Sequence, residues 1–154
     1  MTMRCVRVLA LAAALMCGCA VTGDDRRSGD TVTFTLQAEP RNAGQVGSAL
    51  MGAQGDQTLL VLNITGVPPW VVRPVQVYTF IYAGSCARHD ATTAYALNDI
   101  VQAGLFSNSG MIGPFTLKKT VPVAMDTLRY GDYAIVLRTS PADGNVDIFC
   151  GDMK

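Results

Sequence analysis

The sequence of 154 residues has almost no histidine and no excess of charge of either sign. Its one histidine, His89, leaves no candidates for a metal site built from several imidazoles, and a Ser-His-Asp relay would have a single imidazole available. Twelve basic residues balance twelve acidic ones, with basic pairs only at 26–27 and 118–119. Proteins that bind nucleic acid normally show a basic stripe, so we expect no nucleic-acid partner.

Charged residues are also few, at 16% of the chain, whereas hydrophobic residues make up 49%. Such a composition supplies enough apolar surface for a core and is unlike that of disordered chains. The length suits one domain of ordinary size.

The amino terminus has the pattern of an export signal. Arg4 and Arg7 precede an uninterrupted apolar run over 8–16, and the small residues Gly18 and Ala20 follow. A basic start, a short apolar run and small residues at the cleavage zone are the three parts of a secretory signal peptide. The run has about half of the roughly 20 apolar residues that a transmembrane helix needs, so we expect export without a membrane-spanning helix.

Within this segment, the sequence MCGC at 16–19 carries a second pattern. It resembles the bacterial lipobox, in which a small residue precedes a cysteine that receives lipid and becomes the mature amino terminus. The resemblance implies a signal peptide over 1–18, a lipidated Cys19 and a membrane anchor of acyl chains such as palmitate. Met16 stands where the lipobox usually has Leu. Cys17 offers a second possible position for the lipidated cysteine, two residues earlier. An ordinary signal peptide with incidental cysteines is the alternative.

The residues after Cys19 determine the expected location. In the sorting rule for lipoproteins an Asp in the next position retains the protein at the inner membrane, and Ala20 stands there instead, which favours the outer membrane. Residues 19–30 are polar and rich in Gly and Asp, as expected of a flexible tether. Cleavage would leave ten basic against twelve acidic residues, so lipid and not charge is the expected anchor. Cleavage and lipidation would also leave Cys86 and Cys150 as a pair, available for one disulfide in an oxidising compartment.

Residues 31–154 form the expected folded domain. In Thr31–Ala38, apolar residues alternate with threonines and a glutamine, which is typical of a half-buried strand. We predict further strands, separated by turns rich in Gly, Pro and Asp, at 45–53, 59–65, 75–82, 115–121, 133–139 and 146–150. This pattern indicates an all-β fold, an antiparallel Greek-key-type β-sandwich of about seven or eight strands. Apolar residues at helical spacing over 94–105 predict one short helix in a long loop.

Three segments stand in an order known from one protein family. They are 77–86, which ends in a cysteine, then 133–137, and then 144–151, which ends in Cys-Gly. This order resembles the Cu/Zn superoxide dismutase-like sandwich and its relatives, the CHRD domains. The resemblance implies a disulfide between Cys86 and Cys150, which would close a loop of about 65 residues and stabilise the domain by about 4 kcal/mol. Two reduced, buried cysteines are the alternative.

The metal ligands of that family are absent from the matching positions. Those positions hold Tyr78, Phe80 and Leu137, none of which offers the imidazole nitrogen that copper or zinc requires. The one cluster of catalytic residue types is 86–90, where the disulfide would remove the thiol and His89 would be an ordinary exposed loop residue. The sequence thus predicts no metal, no cofactor and no enzymatic activity.

Tyr78, Phe80 and Tyr82 form an aromatic row in one predicted strand. They share one face of the strand, but the opposite face is also apolar, and only one face can meet the main core. Either the loop 87–113 folds over the aromatic row, or the row is a binding surface for proteins or small ligands. Trp70, between two prolines and two valines, is likewise either packed between loops or a partner contact.

The sequence therefore predicts a non-enzymatic, lipid-anchored protein of the bacterial envelope with an interaction, structural or surface-antigen role, and an envelope or host protein as its partner. A small-ligand binder that uses the aromatic row, or a dismutase-like enzyme with a rearranged site, is the alternative. A metal-binding pocket or a perturbed histidine would favour the enzyme, and a dry apolar cleft beside Tyr78 would favour the ligand binder.

Overall fold

A computed structural model describes residues 30–98 and 113–154. The expected signal peptide, the lipidation residue Cys19 and the tether up to residue 29 lie outside these residues, as do positions 99–105 of the predicted helix. Within the described residues there is no helix long and apolar enough to cross a membrane.

Short strands dominate the described residues, and the all-β prediction is confirmed. The elements in chain order are β1 (Thr31–Ala38), a 3₁₀ turn (Pro40–Asn42), β2 (Gly47–Gln54), β3 (Gln57–Ile64), β4 (Val77–Ser85), β5 (Arg88–Ala96), β6 (Phe115–Val121), α1 (Met125–Tyr130), β7 (Tyr133–Thr139), a second 3₁₀ turn (Pro141–Asp143) and β8 (Asp147–Asp152).

The eight strands form one curled antiparallel sheet in the order β5-β4-β7-β8-β1-β2-β3-β6. β1 joins the two halves of this sheet, because residues 31–36 pair with β2 and residues 37–38 pair with β8. The strand pairing is therefore continuous through β1, and the predicted sandwich of two packed sheets is not confirmed. The connections from β3 to β4, from β5 to β6 and from β6 to β7 cross from one half to the other.

Strand alternation gives the sheet one apolar face, which curls around a single core. In β1, Phe34 and Leu36 are buried in this core, and the threonines at 31 and 35 face solvent. The same alternation buries every second residue of β3 and β6. Buried side chains from β1–β4 and β6–β8, together with Met125 and Leu128 of α1, belong to this one cluster. The domain thus has a core that does not use the outward surface of the sheet.

Two elements differ from the expectation. The helix predicted over 94–105 is wrong at residues 94–96, which belong to β5, and the short helix lies instead at α1, where Met125 and Leu128 are buried three residues apart. The sequence of β5, RHDATTAYA, lacks alternating apolar residues, and most of its side chains are exposed. It is an edge strand whose register with β4 shifts twice, so backbone pairing and not side-chain burial places it.

β1 connects two ends of the domain. Its start lies beside α1, since Arg129 forms an ion pair with Asp30. Leu36 lies near the other end of β1 and pairs with Gly47 of β2. Gly47 pairs with Ile64, the last residue of β3, so the connection 65–76 that follows β3 also lies at this end. We call the end with Asp30 and α1 the tether end, and the end with 65–76 the far end. The eight residues of β1 separate them by roughly 26 Å.

Candidate functional site

The aromatic row lies on the surface of β4 that faces away from the core. Every second residue from Val77 to Ile81 is buried on the core side. Because side chains alternate along a strand, Tyr78, Phe80 and Tyr82 project from the opposite surface, which we call the outer face. Tyr82 is only 4% exposed, whereas Tyr78 and Phe80 are partly exposed. The aromatic row thus has a covered end at Tyr82 and an open end at Tyr78.

Three residues of β7 lie directly opposite the aromatic row and share the outer face. The cross-strand pairs are Tyr78 with Arg138, Phe80 with Val136 and Tyr82 with Ala134. Residues paired in this way have Cβ atoms about 4.5–5.5 Å apart, which is close enough for contact. The covered end therefore faces a small residue, and the open end faces a cation.

A disulfide crosses the outer face. Cys86 follows β4 and Cys150 lies on β8, and these two strands are the two neighbours of β7. The bridge therefore passes over β7, where Ala134 and Val136 are almost completely buried. Tyr82 joins Ala134, Val136 and Cys150 in a small apolar cluster separate from the core. The predicted pairing of Cys86 with Cys150 is confirmed.

The one histidine contributes to the covered end. His89 lies on β5 and not in the expected loop, and its ring centroid is 4.5 Å from that of Tyr82. Its Nδ1 donates to the carbonyl oxygen of Asp90 at 2.9 Å. The cluster 86–90 has no free thiol, because Cys86 is in the disulfide, and its imidazole packs on an aromatic ring. In the ranges 30–98 and 113–154, no group of three His, Cys, Asp or Glu side chains could hold a metal ion.

The expected loop cover over the aromatic row is seen only in part. β5 lies beside β4 and extends the sheet, so this stretch of the loop 87–113 does not lie across the row. From β5, the ring of His89 reaches over Tyr82. Residues 99–112 of that loop lie outside the described residues.

Arg138 lies at the open end of the aromatic row. Its guanidinium carbon is 5.3 Å from the centroid of the Phe80 ring, in the geometry of a cation–π contact. Its Nε donates to Oδ1 of Asp147 in an ion pair, and its side chain is 19% exposed. The hydrogen bond to Asp147 is the main cause that raises the pKa of Arg138, partial burial opposes it, and Tyr82 adds a smaller increase.

A polar groove of about 630 Å³ is also bounded by the disulfide. It lies where β1 leaves β2 to pair with β8. Gly151 permits this close crossing, because a Cβ at residue 151 would lie 2.8 Å from the carbonyl oxygen of Thr35. The backbone N–H of Cys86 donates to Asp152 at 2.8 Å and fixes the wall of the groove. The polar lining residues are Thr33, Thr35, Gln37, Glu39, Asp152 and Lys154. The disulfide thus borders both this groove and the cluster around Tyr82.

Trp70 lies in the connection 65–76 at the far end. The residue is 46% exposed, so it is not part of the core. Its loop is nevertheless held in place, because Val71 is buried and the backbone N–H of Val72 donates to Oδ1 of Asp143 at 2.8 Å. Trp70 therefore presents much of its ring to solvent from an anchored loop.

The three positions that match the dismutase ligands do not converge. Tyr78 and Phe80 lie on the outer face, whereas Leu137 is fully buried in the core. Leu137 pairs with Thr79 across β7 and β4, and Thr79 belongs to the core side of β4. One residue of offset along a strand reverses the direction of a side chain, so these three positions have no common site.

Sequence analysis did not identify Arg138 or Asp147 as site residues. Arg138 is the one charged residue of the strand YAIVLRT, and Asp147 falls near the start of the predicted strand 146–150. The alternation of Ala134, Val136 and Arg138 was a usable signal that they share a face. The sequence pattern does not state which strand lies beside β7, and only that pairing brings Arg138 to the aromatic row.

Comparisons of the chain with protein-family models, with curated proteins and with solved structures gave no match. An aromatic row with an arginine at its open end offers apolar contact together with charge-assisted hydrogen bonds, which is a combination suited to binding.

Proposed function

We propose that this chain is a non-enzymatic, lipid-anchored protein of the bacterial outer membrane that binds a partner protein through the open end of the aromatic row. One observation carries the proposal: Tyr78 and Phe80 stay partly exposed although the domain has a separate core. Aromatic residues are enriched at protein interfaces, because they bury much area while few rotatable bonds become fixed.

The amino-terminal pattern and the disulfide support the envelope location. Disulfides persist in oxidising compartments and are rare in the cytosol. Cys86 and Cys150 are the two cysteines that cleavage and lipidation at Cys19 would leave, and they are the two that pair. β1 begins at Thr31, directly after the expected tether.

Affinity capture of the intact lipoprotein from its own envelope, with mass spectrometry of the co-purified proteins, tests this proposal. Tyr78→Ala should lower recovery of the partner roughly thirtyfold, because truncating a central interface aromatic commonly costs about 2 kcal/mol. Recovery is normalised to folded protein, since Tyr78 also packs against its neighbours. Tyr130→Ala is the matched control, because Tyr130 is 76% exposed on α1 at the tether end. Loss of stability with unchanged recovery would assign the row to packing and refute the proposal.

A small-ligand binder is the second candidate function, and the polar groove favours it. Its volume of about 630 Å³ lies within the range of ligand pockets. Such pockets are mainly apolar with a few placed polar groups, whereas this lining is mainly polar, so the groove ranks below the aromatic row.

A further inference from the structure

The guanidinium of Arg138 is held in one orientation, and some of its N–H donors have no acceptor among the described residues. Its Nε is used by Asp147, and its planar group lies over the ring of Phe80. Arginine has five N–H donors, four of them on the terminal nitrogens Nη1 and Nη2. The hydroxyl of Tyr82 also interacts with the guanidinium and can occupy one of these donors. Asp147 and Tyr82 are the described residues that engage the polar atoms of this group, so donors of the terminal nitrogens remain. The outer fork of Arg138 is therefore available to an incoming acceptor.

Apolar surface lies directly beside this fork. Phe80 is beneath the guanidinium, and Tyr78 is the cross-strand neighbour of Arg138. Both rings are partly exposed. A ligand whose acceptor atoms meet Nη1 and Nη2 would place its remaining atoms against these rings.

The charge balance of the site determines which acceptor it suits. Asp147 offsets much of the positive charge of Arg138, so a small hydrated anion, which has no apolar group to bury, gains little from this site. A planar carboxylate matches the fork with two parallel hydrogen bonds, and this geometric fit does not depend on net charge alone. An apolar group attached to the carboxylate would add the burial of apolar area against the rings.

We propose that the open end of the aromatic row binds a carboxylate carried on an apolar group, the chemistry of an apolar C-terminal residue of a partner polypeptide. This inference rests on the proposed function, because it names the chemistry that the same surface recognises. Arg138 holds the carboxylate through Nη1 and Nη2, Phe80 and Tyr78 hold the apolar group, and Asp147 holds Arg138 in place.

The test is an NMR titration of the intact, disulfide-bonded lipoprotein in detergent micelles with four probes. N-acetyl-L-phenylalanine should shift the backbone amide signals around Phe80 and Arg138 in a saturable way. It should bind roughly tenfold or more tightly than its neutral amide, which lacks the charge, and than acetate, which lacks the ring. The fourth probe, 3-phenylpropionate, lacks the backbone amide of a polypeptide terminus: weaker binding of this probe supports a polypeptide, and equal binding would identify a free organic acid instead and overturn the choice of occupant.

Substitutions test whether Arg138 causes the preference for the carboxylate probe over its amide. Arg138→Gln should reduce binding of N-acetyl-L-phenylalanine to that of its amide. Since this variant leaves Asp147 without its partner, the double variant Arg138→Gln/Asp147→Asn checks that the loss does not come from misfolding. Arg41→Gln is the matched control, because Arg41 is an exposed arginine on the first 3₁₀ turn, and it should keep the full preference.

Equal binding of the carboxylate and the amide by the wild type would overturn the inference. So would shifts confined to residues away from the aromatic row, or an equal loss in Arg41→Gln. If Tyr78→Ala abolishes partner capture but the carboxylate preference is absent, this inference fails and the proposed function stands. If Tyr78→Ala leaves capture unchanged, the proposed function fails whatever the probes show.

Discussion

Removing the disulfide should lower the stability of the domain by an amount set by the loop that it closes. Cys86 and Cys150 are separated by 64 positions in the sequence. On the chain-entropy model, closing a loop of about 65 residues removes unfolded-state entropy worth about 4 kcal/mol at 25 °C. Domains of this kind are stable by about 5–15 kcal/mol, so the disulfide contributes a large part of the whole.

The perturbation we favour is the double variant Cys86→Ser/Cys150→Ala. Cys150 is nearly buried beside Val136, so alanine avoids placing a hydroxyl there, whereas Cys86 is partly exposed and accepts serine. Each kcal/mol moves the thermal midpoint of a domain of this size by about 3–5 °C, so we expect a decrease of roughly 10–20 °C. The folded state should keep its core, because the effect acts on the unfolded chain.

Thermal unfolding followed by circular dichroism measures the decrease. Wild type with its disulfide reduced is the matched comparison, because reduction breaks the same bond without changing a residue. The two samples should agree within a few degrees. A decrease below about 3 °C in both would refute the loop-closure argument. Reaction of both Cys86 and Cys150 in a free-thiol titration of the oxidised protein would refute the pairing itself.

Three further predictions concern the anchor, the strand crossing and the histidine. Cys19→Ala should release the protein from membranes with its domain intact, and unchanged membrane partition would contradict the lipid anchor. Gly151→Ala should lower the free energy of unfolding by about 1–3 kcal/mol in a urea titration, because its Cβ would lie 2.8 Å from the carbonyl oxygen of Thr35. Gly52→Ala, with an ordinary contact of 3.5 Å, is its control and should have little effect. Calorimetric titration with copper or zinc should show no tight binding, since His89 is the one imidazole of the chain, and a one-to-one complex abolished by His89→Ala would overturn this.

Local pattern was enough to predict the strands that bury one face. β1, β6 and β7 have the predicted bounds, because alternating apolar residues fix both the strand and its inward side. β5 could not be predicted in this way, since its polar sequence is held by pairing with β4 at the sheet edge. α1 was missed because its six residues contain only two buried apolar positions.

The aromatic row shows the same limit at the candidate site. Period-two alternation is sufficient to place Tyr78, Phe80 and Tyr82 on one face. Their surroundings depend on β7 and β8, which follow more than 40 residues later in the chain, and loop closure over such distances leaves no local trace in the sequence. The disulfide pairing could be predicted, because Cys86 and Cys150 are the two cysteines outside the expected signal peptide and lipidation position and because the family resemblance implies the same pair, whereas the position of Arg138 could not. The resemblance to the dismutase-like family stays a prediction.

The position of β1 has a mechanical consequence. This strand follows the expected tether and lies inside the sheet, between β8 and β2. The hydrogen bonds of a sheet run perpendicular to its strands. A force that pulls residue 30 along the direction of β1 is therefore shared by all six residue pairs between β1 and β2 at the same time, as a shear force. An edge strand pulled sideways would instead open one bond after another. A domain that is pulled along β1 therefore resists force more firmly than one that is pulled across its strands.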